Sequence, residues 1–445
     1  MSIDPQTALL SLLDHAKKAG ADAADVILFS RTSLSVERRL GRTENLERSE
    51  SRDLGLRVFV GQKAASVAAS ALEPAQFGEI AERAVFMARI VPDDPFTGLA
   101  DEATTPDDPT SLDLDDGYEP PVTDLLARAD EAEEAAMAVK GVTNSEGGST
   151  GYSRSEVYLA TSKGFLGHYA RSNHAISASV LAGTGTGMQR DYDYHSAVYF
   201  SDLDGAAKIG NSAGEKAVAR LNPIRVPTTK LPVVFDPRIA TSLLGHLLGA
   251  INGASIVRGT SFLKDAVAQQ IFAPGISIYD DPRRVRGMRS GTFDGEGVPT
   301  AKRAIIEDGV LTGWILDSRS ARALKLESTG HASRGTGGPP SPSSTNLYMA
   351  AGSQTPEELI GDISYGIYVT ELIGMGVNGL TGDYSRGAAG FLIRQGKLAE
   401  PVAEITIAGN LKQMFATLTP ANNLIFRRGT DAPTIRIAEM TLAGA

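Results

Sequence analysis

The sequence predicts an α+β fold: two helix-flanked antiparallel β-sheet units on the N-terminal side, then a β-rich C-terminal domain with a buried helix. Three observations predict it. Runs such as "DVILFSRT" and "LGLRVFVG" alternate apolar and polar residues, the period of a sheet with one wet face. An order of helix, strands and helix occurs twice, although the two segments hardly match in sequence. Past residue 225 the chain turns to short strands and tight turns around one strongly apolar helical stripe.

Residues 1–90 form the first unit. The opening "MSIDPQTALLSLLDHAKKAG" has no basic start, and Asp14 and His15 interrupt its apolar run, so a helix over Asp4–Lys18 is expected rather than an export signal. The strand-like runs "DVILFSRT", "LSVERRL", "TENLERSE", "LGLRVFVG" and "KAASVAASA" follow, then a helix over Pro74–Met87. Residues 91–121 read as an acidic, Pro-rich linker. From Ile90 to Pro121 there are ten Asp and Glu and no Lys or Arg, so the net charge of −10 resides here and calls for no basic partner.

Residues 122–225 form the second unit, with a helix over Val122–Val139, the runs "SEVYLATS", "GFLGHYARS", "HAISASVLAG" and "YDYHSAVYF", and a helix over Leu203–Leu221. Residues 226–445 form the C-terminal domain. In it "KLPVVFDP" reads as a buried strand, and Asp308-Gly309 and Gln395-Gly396 read as two-residue hairpin turns. The stretch His331–Asn346, rich in Gly, Pro and Ser, is expected to be an exposed, mobile loop.

Composition excludes several classes. With no cysteine there is no disulfide, thiolate ligand or cysteine nucleophile. No apolar run approaches the roughly 20 residues that span a bilayer, and no basic patch stands out to bind nucleic acid. A cytoplasmic protein is expected.

The helix in "RIATSLLGHLLGAINGASIVRGTSFL" is the focus. Ile239, Leu243, Leu244, Leu247, Leu248 and Ile251 form a core-facing stripe, while Ser242, Gly245, His246, Gly249 and Gly253 share a face of small residues. Interior glycines cost roughly 1 kcal/mol each against alanine, so something is expected to approach this backbone closely: a packed segment or a bound peptide. A helical zinc site needs a second donor one turn on and a general base. Here Leu247, Ala250 and Ile251 occupy the positions after His246. No catalytic residue and no metal ligand is therefore assigned, and a structural histidine competes with a substrate or partner contact.

Other motifs have bland readings beside the functional ones. Asp294 and Glu296 in "FDGEG" read as a turn or interface, or as a substrate or partner contact. Asp383, Tyr384 and Arg386 in "TGDYSRG" read as a loop that holds peptide polar groups, or in which Asp383 and Arg386 pair. "GNSAG" (Gly210–Gly214) has the nucleophile-elbow pattern but lies in a helix-like run, and "GTGTG" (Gly183–Gly187) reads as a loop between strands. The histidines show no ligand spacing; His168 and His174 fall on successive runs at different parity.

The helix, "GTSFLKDAVAQQI", "TFDGEGVPTAKRAIIEDGVLTGWILDSRSARALKLESTGHA", "GVNGLTGDYSRGAAGFLIRQGKLAEPVAEITIAGNL" and the linker's "DDPFTGLAD" together resemble the TldD/PmbA family of metallopeptidases. The resemblance implies two branches that work together. The TldD branch carries His-Glu-x-x-x-His on this helix and a cysteine as a further zinc ligand. This sequence is similar to the PmbA (TldE) branch, which lacks that motif, as "TGDYSRGAAGF" and "STGHA" also indicate. The resemblance thus implies a partner subunit of a heteromeric peptidase for unfolded peptides or small proteins. It would hold no cofactor of its own, the zinc being supplied by a TldD-type chain, and it would form a homodimer when alone. Two alternatives stand beside it: a self-associating peptide-binding or scaffold protein, and a hydrolase with a non-metal mechanism.

Overall fold

The computed structural model describes residues 4–70 and 73–444; the end of the run "KAASVAASA", Ala71, lies outside the described residues. The N-terminal side contains α1 (Pro5–Lys18), β1 (Ala23–Arg39), β2 (Arg42–Val60), β3 (Lys63–Ala69), α2 (Phe77–Ile90), α3 (Val122–Met137), β4 (Val142–Thr161), β5 (Leu166–Ala182), β6 (Gln189–Ala197) and α4 (Ala206–Ala219). Asp4 caps α1, its carboxylate accepting from the Thr7 N–H at 2.9 Å. The expected strand runs merge: "DVILFSRT" and "LSVERRL" are both β1, and the next two are both β2. Polar residues such as Arg31 and Arg52 divide the runs in sequence, but in space they sit where the long ribbon extends into solvent.

The two units share one sheet. Its order is β3-β2-β1-β4-β5-β6, antiparallel throughout, with β1 joined to β4 in a register that sets Ile27 opposite Leu159. Even-numbered residues of β1 face the helices. Val26 and Leu28 pack with Leu9, Leu12, Phe77 and Ile80 of α1 and α2, and further along Leu34 and Val36 meet Leu125 and Ala129 of α3. Each fully buried aliphatic side chain contributes about 1.5–3 kcal/mol. Gly148 lets α3 come close, since a Cβ there would lie 2.1 Å from the Ala129 carbonyl oxygen. The same holds for Gly210 in "GNSAG", 2.0 Å from the Ala132 carbonyl oxygen, so this motif is a helix–helix contact. "GTGTG" is the connection between β5 and β6, as expected. His168 and His174 lie on one continuous strand and therefore at the same parity, His168 stacked on Tyr158 and His174 tilted against Tyr152 of the neighbouring strand.

The other face of this sheet is not simply wet. Ile27, Val157 and Leu159 bury themselves against Phe165 and against Phe293 of the C-terminal domain. That domain contains β7 (Thr229–Phe235), α5 (Pro237–Ile251), α6 (Gly253–Val257), β8 (Ile278–Asp280), β9 (Arg303–Glu307), β10 (Val310–Leu311), α7 (Ser318–Leu324), β11 (Ala332–Ser333), β12 (Ser341–Pro342), β13 (Leu347–Met349), α8 (Pro356–Gly361), β14 (Tyr365–Ile373), β15 (Asp383–Arg394), β16 (Lys397–Asn410), α9 (Leu411–Ala416), β17 (Leu418–Pro420), β18 (Thr430–Asp431) and β19 (Ile435–Ala443). Strands β16-β15-β14-β7-β19 close into a barrel because β19 also pairs with β16. A second sheet, β10-β9-β8-β13-β18, lies beside it. Both expected hairpin turns form, with φ of 49° and 79° at Asp308 and Gly309 and of 50° and 74° at Gln395 and Gly396.

Two connecting segments are more ordered than their composition predicts. The acidic stretch is a strap across the molecule. Asp115 and Asp116 pair with Arg154 and His174 of the sheet, while Asp94, Asp107 and Asp113 pair with Arg319, Arg283 and Arg286 of the C-terminal domain. Leu99, Leu112 and Leu114 are buried beneath it. The stretch His331–Asn346 is exposed only in part: Ser333, Gly335, Gly337, Pro339, Ser341 and Ser343 are open, and the rest is buried or half-buried. Strands β11 and β12 pair within it, His331 and Asn346 are buried, and Arg334 reaches Asp25 of β1. Gly55 accommodates it: a Cβ there would meet the Thr336 carbonyl oxygen at 2.5 Å.

Candidate functional site

Helix α5 begins where β7 ends. Asp236 caps it, accepting from the Arg238 N–H at 2.8 Å, and Pro237 sits at its first position. Ala240, Leu243, Leu244, Leu247 and Ile251 are inserted into the barrel's core cluster. Arg238 ties the helix start to the N-terminal sheet through Asp191 of β6 at 2.6 Å. Burial pushes the Asp191 carboxyl up, but Arg238 and Arg220 outweigh it and hold it below the usual range.

His246, beside the buried stripe of α5, meets β15. The segment Asp383–Gly387 is strand rather than loop, so alternation sends Tyr384 and Arg386 to one side and Asp383 to the other. Tyr384 is 2% exposed, with its ring 5.8 Å from the His246 ring in an edge-on contact. His246 Nε2, the Tyr384 hydroxyl and Arg386 Nε are all buried with no hydrogen-bond partner among the described residues. Burial, and then the Arg386 guanidinium, hold His246 below the ordinary imidazole pKa, so the ring is neutral near pH 7. Burial pushes the Tyr384 phenol up. Asp383 does not pair with Arg386; it accepts from Thr381 Oγ1 at 2.7 Å and Asn410 Nδ2 at 3.0 Å.

The small-residue face divides in two. Gly245 and Gly249 are exposed, and a Cβ added at either would have no atom within 4 Å, so nothing within this chain needs them small. Gly253 is not on that face. Asn252 breaks the helix and caps α6, and Gly253 is buried against Leu316, Ser320 and the Ile315 carbonyl.

Asp294 and Glu296 belong to a separate place, the contact between the C-terminal domain and the sheet. Asp294 accepts from the N–H groups of Glu296, Val298 and Ala332 at 2.9, 3.0 and 2.9 Å. Even so, burial and the nearby Glu296 push its carboxyl up to about 7. Glu296, also pushed up by burial, accepts from the Ser318 N–H and lies 3.6 Å from Arg57. Arg57 and Arg334 both bind Asp25, at 2.5 Å each, completing a buried group of two acids and two guanidiniums. Sequence reasoning missed Asp25, Arg57 and Arg334. An acid directly before the apolar run "VILF" was the available signal.

The structure thus brings His246, Tyr384 and Arg386 together, with Gly249 a turn along. It leaves Gly253, Asp383, Asp294 and Glu296 outside that cluster.

Comparison with known proteins agrees with this architecture. Profiles described as PmbA/TldA metallopeptidase domain 1, central domain and C-terminal domain match residues 24–88, 115–221 and 228–444. "Metalloprotease PmbA" of Escherichia coli O157:H7 is 37% identical over 426 residues, covering 95% of this chain and 93% of that one. "Metalloprotease PmbA homolog" of Haemophilus influenzae is 34% identical over 434 residues, covering 97% and 94%. TldE from Thermococcus kodakarensis has a similar fold, with a TM-score of 0.86 at 22% identity over 98% of this chain and 100% of that one. The chain belongs to the PmbA/TldD metallopeptidase family.

Proposed function

We propose that this chain is the zinc-free partner subunit of a cytoplasmic, two-component TldD/TldE-type metallopeptidase acting on unfolded peptides or small proteins. The observation that carries the reading is the donor set on α5. Where the TldD branch has Glu and a second His, this chain has Leu247 and Ile251, both 0% exposed within the barrel core. The polar groups brought beside His246 are a phenol, Tyr384, and a guanidinium, Arg386, whose positive charge opposes a cation there. Among the described residues no three His, Asp or Glu side chains converge. These residues do not fit a zinc ion, and no catalytic step is assigned to one in this chain.

In this reading the zinc and the general base come from a TldD-type chain, and this chain supplies part of the substrate wall. A neutral imidazole can accept or donate one hydrogen bond to a peptide group, and the open faces of Gly245 and Gly249 admit an extended backbone close to the helix. The relatives named as metalloproteases and the fold shared with a TldE support the assignment.

The test is metal content and peptide cleavage. Alone, the purified chain carries no stoichiometric zinc and cleaves nothing; mixed with a His-Glu-x-x-x-His paralogue it enters a larger species that cleaves unfolded peptides. Zinc at one per chain, or cleavage alone, overturns the reading. A second reading, a self-associating binding or scaffold protein, is favoured by the β14–β15 connection, where Ile373, Met375 and Leu380 are exposed and a second copy would cover them. Size-exclusion separates the two, because only this one keeps the homo-oligomer when the paralogue is added.

A further inference from the structure

We propose that the cleft between the N-terminal sheet and the C-terminal domain binds the end of a peptide through its free C-terminal carboxylate. This rests on the cleft's own chemistry and not on the zinc-free partner reading; the cleft shares no residue with the His246 cluster.

The cavity holds about 460 Å³, within the range of small-ligand sites and large enough for the last two or three residues of a peptide. Arg171 enters it from β5. Its Nη1 donates to the Met288 carbonyl at 3.1 Å and its Nη2 to the Ser290 carbonyl, while its Nε has no partner among the described residues. Arg289 lines the same cavity. Neither guanidinium has a carboxylate within 4.0 Å among the described residues. Burial and the like charge of Arg289 lower the pKa of Arg171. A third guanidinium, Arg334, is 0% exposed in its side chain; it spends Nη1 on Asp25 and leaves Nε and Nη2 unpartnered.

A desolvated cation without an anion, here Arg171, is costly, and a bound carboxylate removes that cost through charge-assisted hydrogen bonds, with the exposed Arg289 as a second donor. The acid lining the cavity, Asp294, has both oxygens occupied by backbone N–H groups. Ser344 adds a hydroxyl to the lining, whereas that of Thr345 is already donated to Asp280 Oδ2 at 2.6 Å. The rest of the sheet wall is apolar, with the half-buried rings of Phe29 and Tyr169 beside Ile27 and Leu159 and the Arg171 guanidinium 5.7 Å from the Tyr169 ring centre. An inorganic anion would leave that wall wet. A carboxylate that carries an apolar side chain satisfies both walls, which is the chemistry of a hydrophobic C-terminal residue.

The experiment is fluorescence anisotropy with dansyl-Gly-Gly-Phe as the free acid and as its C-terminal amide, at one ionic strength, on the full chain. The acid is expected to bind at least about tenfold more tightly than the amide, the size of one or two charge-assisted hydrogen bonds. Arg289→Gln should weaken the acid and leave the amide unchanged. Its side chain is exposed, and the Arg289 N–H bond to Asn346 Oδ1 does not depend on it, so the fold survives. Arg171→Met should weaken the acid further, with circular dichroism checking its fold. Equal binding of acid and amide, no binding of either, or displacement of the acid by an equal concentration of inorganic phosphate overturns the proposal.

Discussion

Replacing Asp25 by Asn removes one charge from the buried group that joins the two halves of the chain. Asp25 is 1% exposed, and the Arg57 and Arg334 side chains that clasp it are 6% and 0% exposed. Burial raises its pKa, yet the two guanidiniums outweigh burial and hold it below the usual carboxylate range. In the variant two buried cations share a single carboxylate, Glu296, which is 3.6 Å from Arg57. Breaking a buried pair from one side costs about 3–5 kcal/mol. Removing Arg334 as well, in Asp25→Asn/Arg334→Met, leaves Arg57 and Glu296 as a balanced pair. The double variant should then recover at least about 2 kcal/mol against the sum of the single losses. Urea unfolding followed by circular dichroism and by the single tryptophan, Trp314, measures both quantities; Trp314 packs against the barrel core and so reports the C-terminal domain separately. Single losses under about 1 kcal/mol, or losses that simply add, would refute the network as the joint between the halves. Acid gives the same test. Because the folded pKa of Asp25 is depressed, its contribution is present above the unfolded value of 3.8 and is lost as pH falls through the lower, folded value.

Asp294 has the opposite sign: its folded pKa of about 7 lies above 3.8, so its contribution is complete below the lower value and lost as pH rises through the upper one. Stability measured by urea midpoint should fall between pH 4 and pH 7 on its account, and Asp294→Asn should flatten that slope. Leu247→Glu, which restores the TldD-branch residue, puts an unpaired carboxylate at a 0% exposed core position and should cost at least about 3 kcal/mol in the same assay. Gly249→Ala meets open space and should stabilise the helix by about 1 kcal/mol; if a peptide passes over that face, cleavage by the mixed complex falls while thermal stability rises. Gly210→Val collides with the α3 backbone at Ala132 and should lower the melting temperature without changing cleavage per folded molecule.

The parts legible in the sequence are those decided within a few residues. Asp308-Gly309 and Gln395-Gly396 were readable as hairpin turns because both residues of each take positive φ, which few dipeptides tolerate. The α5 stripe was readable because period and burial agree from Ala240 to Ile251. What was not legible depends on partners far along the chain. Arg334 lies in a segment of loop-like composition, and the ties that hold that segment, its contact with Asp25 309 residues away among them, are invisible locally. His246 and Tyr384 were both noted, but in separate motifs, since nothing local says that β15 carries Tyr384 under α5. The pairing of β1 with β4 fused two apparent units into one sheet, and it too joins segments that are distant in the chain.

The barrel has one further consequence. Its last stave, residues 435–443, hydrogen-bonds to β7 on one side and to β16 on the other. Until those residues leave the ribosome, β7 and β16 each have a raw margin, and the leucines of α5 have no finished interior to enter. The N-terminal sheet, β1 to β6, can form earlier in synthesis, so the chain matures in two stages, and any subunit that recognises the finished barrel must wait for translation to pass residue 443.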